Sequence, residues 1–270
     1  MKRWSPYPVL CLGLMLAGAV RPARAQITSS IPDAILGKAP PPSGQTVRYL
    51  PGDSATKGYL AVPKGNGPFP ALILIHEWNG LVDRVRQVAD AFAAQGYVTL
   101  AADLYQGRTG SNPQENMKLV QETRGKMPAV IANLNAAQQF LRQRKDVSGK
   151  VGVMGWCFGG GIALSYGLGG DHHDATAMFY GSLVMDPAEL QKLNHPLYGT
   201  FAGQDQGIPP DQVKKFKAAL DSIGITNDIH IYDPVGHGFW LYVDQDPATR
   251  QEPAQDAWRR LMAFLTTVLR

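Results

Sequence analysis

Gly155-Trp156-Cys157-Phe158-Gly159-Gly160-Gly161 is the stretch on which the reading of this chain turns. Before it, Lys150 to Met154 has the near-continuous apolar character of a strand buried on both faces. After it, Ile162 to Gly169 reads as an apolar helix. A glycine-x-nucleophile-x-glycine sequence between strand and helix makes a sharp, strained turn that exposes its middle side chain. Glycines are needed because bulkier neighbours would clash. The helix start places free N–H groups and the positive dipole end beside that side chain, which favours thiolate. Cys157 is therefore the candidate nucleophile, and the Phe158 N–H is a candidate oxyanion donor. A buried structural cysteine is the competing reading, since free cysteine is often buried.

Working outward, strands are expected at Thr46 to Leu50, Gly58 to Pro63, Pro70 to His76, Tyr97 to Ala102, Ala175 to Tyr180, Pro196 to Ala202 and Asp228 to Tyr232. Helical spacing appears over Asp83 to Gln95, Gln114 to Thr123, Pro128 to Arg144, Pro210 to Ser222 and Glu252 to Leu269. Strands alternating with helices imply an α/β fold, a mainly parallel sheet with helices on both faces. No linker divides residues 46–270, which read as one domain.

Two further groups stand where the nucleophile needs them. Asp205 follows the strand LYGTFA, and His237 follows the strand HIY. Both lie at strand C-terminal ends, where ligands bind in open α/β sheets. The order nucleophile, acid, histidine is that of the α/β-hydrolase fold. His237 would act as general base and then acid, with Asp205 orienting it. A turn-capping aspartate and a surface-loop histidine are the alternatives for each residue alone. The loop after Pro70–His76, Glu77-Trp78-Asn79-Gly80, would supply a second oxyanion N–H from Trp78. Glu77 beside a cysteine could hold the thiol proton, or accept it as substrate arrives. A salt-bridged glutamate at a strand end is the plainer reading.

The residues now resemble a known family, the dienelactone hydrolases (carboxymethylenebutenolidases). The matching pieces are HEWNGL at 76–81, ADLYQGR at 102–108, GWCFGGG at 155–161, AGQD at 202–205 and GHGF at 236–239. The resemblance implies an α/β-hydrolase fold and hydrolysis of a small lactone or carboxylic ester without a cofactor. It implies the same roles for Cys157, Asp205, His237 and Glu77. The family grips a substrate carboxylate with arginines. Arg108 resembles one of them, and Leu241 stands at the second position. Trp240 and Tyr242 then suggest a more apolar mouth, and Tyr105 is a candidate for lining the pocket or for core packing. A broad-range carboxylesterase or thioesterase on the same machinery, or a non-catalytic binding protein, would share these features.

Composition narrows the rest. The chain has 270 residues, 44% hydrophobic and 18% charged, enough for one sizeable core. Lys2 and Arg3, the short apolar run Val9 to Val20 and Ala23-Arg24-Ala25 form the pattern of a secretory signal peptide cleaved after Ala25. The protein is thus expected to be exported, periplasmic or secreted, with no stable membrane anchor after cleavage. Residues 26–45, rich in Pro, Gly and Ser, read as an extended leader. The signal carries Lys2, Arg3, Arg21 and Arg24 and none of the 22 acidic residues, so the mature chain balances 22 basic against 22 acidic groups. The formal +4 is no argument for a nucleic-acid partner. Cys11 leaves with the signal, making Cys157 the lone thiol of the mature chain. Asp171-His172-His173-Asp174 looks metal-like but reads as a solvated loop, so no metal site is expected. A monomer or small homo-oligomer acting on a small ester or lactone is the overall expectation.

Overall fold

The computed structural model describes Met1 and residues 30–270. The signal peptide expected over residues 1–25 lies, apart from Met1, outside the described residues. The strands are β1 (Gln45–Val47), β2 (Gly58–Ala61), β3 (Phe69–Ile75), β4 (Val98–Ala102), β5 (Val147–Trp156), β6 (Ala175–Phe179), β7 (Leu197–Ala202) and β8 (Asn227–Tyr232). The helices are α1 (Asp33–Leu36), α2 (Asp83–Ala94), α3 (Pro113–Arg124), α4 (Met127–Arg142), α5 (Phe158–Gly169), α6 (Pro187–Leu190), α7 (Pro210–Ser222) and α8 (Pro247–Leu269). Among the described residues no helix is long and apolar enough to cross a membrane.

One eight-stranded sheet runs in the order β1-β2-β4-β3-β5-β6-β7-β8. β1 and β2 join antiparallel, and the six strands from β4 to β8 pair in parallel. Helices cover both faces, as the α/β-hydrolase fold requires. Side chains alternate along β3. Leu72 and Leu74 face the layer holding α2 and α8, whereas Ala71, Ile73 and Ile75 face α4 and α5. From β3 the chain crosses to β4 on one side and then returns to β5 on the other. That reversal opens a crevice beyond the ends of β3 and β5, where ligands bind in such sheets.

Two elements differ from the sequence reading. Within the segment read as an extended leader, Asp33–Leu36 forms one helical turn, with Ala34 and Ile35 buried against Val85 and Val88 of α2. Arg84 fastens this turn by donating to the Ala34 carbonyl (3.1 Å) while its other bonds reach the Leu241 carbonyl (3.1 Å) and Asp244 (2.9 Å). Ile35 provides apolar burial that Pro and Gly content obscured. α8 begins five residues before Glu252, because Asp246 caps it by accepting from the Thr249 N–H and Pro247 suits the first turn. Pro253 is carried inside the helix, where its burial offsets the missing N–H.

At the opposite end of the sheet, His173 is buried, contrary to the solvated loop expected over 171–174, and its neighbour His195 is buried with it. The Thr176 hydroxyl bridges their Nε2 atoms at 2.9 and 2.8 Å, and the rings stand 4.2 Å apart. Burial, reinforced by the neighbouring histidines, pushes His173 down to about 4 and His195 to about 3. Both are then neutral in the folded protein but titrate near 6.5 when unfolded. The unfolded state binds more protons as pH falls through 6.5, so stability is full above that value and is lost toward pH 4. The expected slope is about 1.4 kcal/mol per pH unit for each histidine. Melting curves between pH 7 and 4.5 check this, and His195→Gln should flatten the slope by about half.

Candidate active site

Cys157 sits between β5 and α5 with φ 54° and ψ −117°, a strained conformation for a residue with a Cβ. Its N–H donates to the Phe179 carbonyl (2.9 Å), tying the turn to the end of β6. Glycines make the turn possible. A Cβ on Gly159 would overlap the carbonyl oxygens of Ile75 and His76, and one on Gly155 would overlap Gly159. α5 thus starts hard against the end of β3, and its first amides lie under the crevice.

Asp205 and His237 meet as expected. Asp205 is 5% exposed, and its Oδ2 lies 2.6 Å from His237 Nδ1. Its Oδ1 accepts from the N–H groups of Gly207 (2.8 Å) and Ile208 (3.1 Å). Burial works against the Asp205 charge, but His237 and the two amides outweigh it and hold the carboxyl below its usual range. The Cys157 sulfur also acts on the charge of His237. Burial disfavours the imidazolium here too, yet Asp205 and the sulfur prevail and push His237 up to about 10. The arrangement can hold a proton on His237 while the sulfur reacts.

Glu77 follows β3 and is only 4% exposed. Burial raises its carboxyl to about 7 against the pull of Tyr242, His237 and Arg84. The salt-bridge reading is not met, since no cation lies within ion-pair distance of Glu77 among the described residues. His76 fixes this loop. Its Nε2 accepts from the Leu104 N–H (3.2 Å), so Nδ1 carries the proton donated to the Glu77 carbonyl (2.7 Å). The N–H groups of Trp78 and Phe158 find no acceptor in a loop or side chain among the described residues. Both remain free to meet a substrate oxygen.

Three residues expected at the substrate are placed otherwise. Trp240 is fully buried, stacked on Trp156 at 5.6 Å and beside Phe179 at 4.6 Å. It is core beneath the site and not its mouth. Tyr105 is also fully buried; its hydroxyl donates to the Trp78 carbonyl (3.2 Å) and its ring meets His76 edge-on at 4.5 Å. Tyr105 orients the Trp78 loop, the packing alternative with a purpose. Arg108 is committed to Glu122 of α3 (2.8 Å) and to the Tyr105 carbonyl (3.1 Å).

The cation that does stand by the turn is Arg124, in the last turn of α3. Its guanidinium lies 5.9 Å from the Phe158 ring and 3.4 Å from the Ser182 hydroxyl, and it has no carboxylate partner among the described residues. Nothing in the local sequence of α3 marked it, because the site reaches it only through tertiary packing. Tyr180 was also missed. It is fully buried just past β6, with φ 39°, and its ring is 4.9 Å from that of His237. Its position at a strand C-terminal end was the available signal.

A model of the dienelactone hydrolase family matches residues 56–269, which span β2 to α8 and include Glu77, Cys157, Asp205 and His237. The chain belongs to the dienelactone hydrolase family. A Methylorubrum extorquens protein provisionally named carboxymethylenebutenolidase is 32% identical over 222 residues, covering 77% of this chain and 76% of that one. An Aquifex aeolicus protein with the same provisional name is 28% identical, covering 84% of this chain and 100% of its own. A Klebsiella pneumoniae crystal structure provisionally described as a dienelactone hydrolase has a TM-score of 0.72 at 25% identity, covering 83% of this chain and 98% of that one. This dienelactone hydrolase relative is therefore a member of a hydrolase family with the α/β-hydrolase fold.

Proposed function

We propose that the protein hydrolyses a small lactone or carboxylic ester through Cys157, His237 and Asp205. The observation that carries this is the Asp205–His237 pair, 2.6 Å apart, together with a cysteine strained at φ 54° on a strand-to-helix turn whose sulfur acts on the charge of His237. In the first step the sulfur, whose proton is held on His237, bonds to the acyl carbon. The carbonyl electron pair moves onto oxygen, which the Phe158 and Trp78 N–H groups receive. The tetrahedral adduct collapses by breaking the acyl C–O bond, and His237 returns its proton to the leaving oxygen. Water then attacks the thioester, His237 takes a proton from it, and the C–S bond breaks to restore the thiol. Asp205 keeps the His237 ring in the tautomer that faces sulfur.

Arg124 supports a substrate that carries an anion away from the scissile bond. With Leu241 buried and offering only its carbonyl to Arg84, Arg124 is the unpaired guanidinium nearest the turn among the described residues. For a carboxylated ester, Arg124→Gln is expected to raise KM about tenfold, the scale of one charge-assisted contact. For a matched neutral ester it should change nothing. Kinetics on the two esters check the contrast.

The broader test is a panel of lactones, aryl esters and thioesters on wild type and Cys157→Ser together. Hydrolysis by wild type that collapses in Cys157→Ser supports the reading. Equal rates on every ester, with no gain for a carboxylated lactone, would point to a broad-range esterase or thioesterase. A thiol that alkylates rapidly with no hydrolysis anywhere would point to a binding protein.

A further inference from the structure

The backbone around His237 has little restraint of its own. Gly236 and Gly238 flank it, Gly238 at φ 77°, and a Cβ on either would meet nothing within 4 Å. The chain on both sides is fixed by partners from elsewhere. Upstream, the Val235 carbonyl accepts from the Gln204 N–H (3.0 Å), which ties that end to the loop of Asp205. Downstream, the Leu241 carbonyl accepts from Arg84 Nη1 (3.1 Å). Arg84 lies in the first turn of α2, the helix that follows the Trp78 loop. Arg250 of α8 donates to the next carbonyl, that of Tyr242 (2.9 Å), but its other bond returns to Gln245 of the same segment (3.1 Å). Arg84 thus ties the His237 loop to the β3–α2 side of the crevice. Arg84 is held in turn. Asp244 accepts from both terminal nitrogens, at 3.1 and 2.9 Å, and the Ala34 (3.1 Å) and Ile35 (3.5 Å) carbonyls of α1 share Nη1. Ile35 is fully buried, and Gly37 closes α1 at φ 72° so near Asp244 that a Cβ there would stand 2.6 Å from its Cγ. Residues 31–37 precede the matched stretch 56–269, so this part of the arrangement lies outside the family unit.

We propose that α1 is a strap and Arg84 a positioning residue: the strap seats the guanidinium against the Leu241 carbonyl, and that bond holds the His237 loop where Nδ1 meets Asp205. A planar guanidinium can donate to several acceptors at once in a fixed fork, which a flexible ammonium cannot. The seat needs both of its sides. Asp244 is 41% exposed, and an ion pair that wet holds a long side chain weakly. The α1 carbonyls supply the other side, and Ile35 anchors them in the core. Without the strap Arg84 regains rotamer freedom, and a loop with glycines on both sides of its histidine is fixed firmly only at its Val235 end. Catalysis is steeply sensitive to such a change, because displacing a reacting group by about 1 Å costs up to about a hundredfold.

This rests on the reading of His237 as the partner of Cys157. For a neutral ester, Arg84→Met is expected to lower kcat about ten- to a hundredfold with KM close to wild type. A merely stabilising arginine would instead lower the melting temperature and leave kcat per folded molecule unchanged. Arg84→Lys keeps the charge but not the fork, so it should recover only part of the loss. Gly37→Ala leaves every side chain of the site in place and pushes the strap off Asp244, so it should lower kcat in the same direction by a smaller factor. Proton NMR reads the same geometry without turnover. The far-downfield resonance of the proton between His237 Nδ1 and Asp205 Oδ2, 2.6 Å apart, should broaden or move upfield in Arg84→Met and Gly37→Ala. Unchanged kcat and resonance in Arg84→Met, full recovery in Arg84→Lys, or wild-type behaviour of Gly37→Ala each overturns the proposal. Should Arg84→Met not fold, the lysine and Gly37→Ala variants decide it. Absence of ester hydrolysis by the wild type would count against the cysteine mechanism, while the resonance would still decide the strap, so the two failures give different results.

Discussion

On the proposed mechanism, Cys157→Ala is expected to lower kcat/KM by about 10⁴-fold or more for any ester that the wild type hydrolyses, roughly 5 kcal/mol of transition-state stabilisation. The magnitude follows from what remains. In that mechanism the Phe158 and Trp78 amides would still meet the substrate oxygen and the crevice would still bind, so catalysis would fall to what polarisation and proximity supply. No other thiol lies in the described residues to take over. His237→Ala should cost a similar amount, and the double variant scarcely more, because sulfur and imidazole act as a unit. The fold should be indifferent. Cys157 is only half-buried, alanine keeps the Cβ that the turn already tolerates, and the Cys157 N–H bond to Phe179 is a backbone interaction. A melting curve near that of wild type beside lost turnover is the expected pair of measurements. Wild-type turnover in Cys157→Ala would remove the mechanism.

How much of this was legible beforehand depends on which residues carried local signals. β3, β7 and the last six residues of β5 are near-continuous buried runs because each is covered on both faces, and such runs declare themselves in sequence. The turn at Cys157 was legible because its glycines answer to backbone crowding within a few residues. Asp205 and His237 were found by their places after strands, and they meet at 2.6 Å. What was not legible depends on packing across the sequence. Arg108 and Arg124 lie 16 residues apart, and only the docking of α3 decides which guanidinium Glu122 neutralises and which stays unpaired. Trp240 was read as the mouth because it follows His237 closely, yet the chain turns inward there and stacks the indole on Trp156. The one-turn helix of the leader is too short for periodicity, and its stability comes from Arg84 of α2.

Gly159→Ala should be among the most destabilising single methyls in the described residues, because the atoms it meets cannot yield. The new Cβ would fall against the Ile75 and His76 carbonyl oxygens, which belong to the end of β3, and not against the tip of a flexible side chain. Relief requires α5 to move off the sheet, and α5 is packed through Ile162, Ala163 and Tyr166 into the core. The expected cost is about 3 kcal/mol or more, the upper range for overpacking, against a total stability of only ~5–15 kcal/mol for a protein of this kind. Any folded fraction should also lose activity, since displacing α5 moves the Phe158 N–H away from the oxygen it would hold. Gly169→Ala is the matched control. It lies at the other end of α5 with nothing within 4 Å of the new Cβ, so it should be neutral or stabilise by about 0.5–1 kcal/mol through the unfolded chain. Denaturant unfolding of the two variants beside wild type reads both effects. Equal midpoints for Gly159→Ala and wild type would mean that the turn is looser than its backbone contacts imply, and that the strain at Cys157 is not held in place by the glycine behind it.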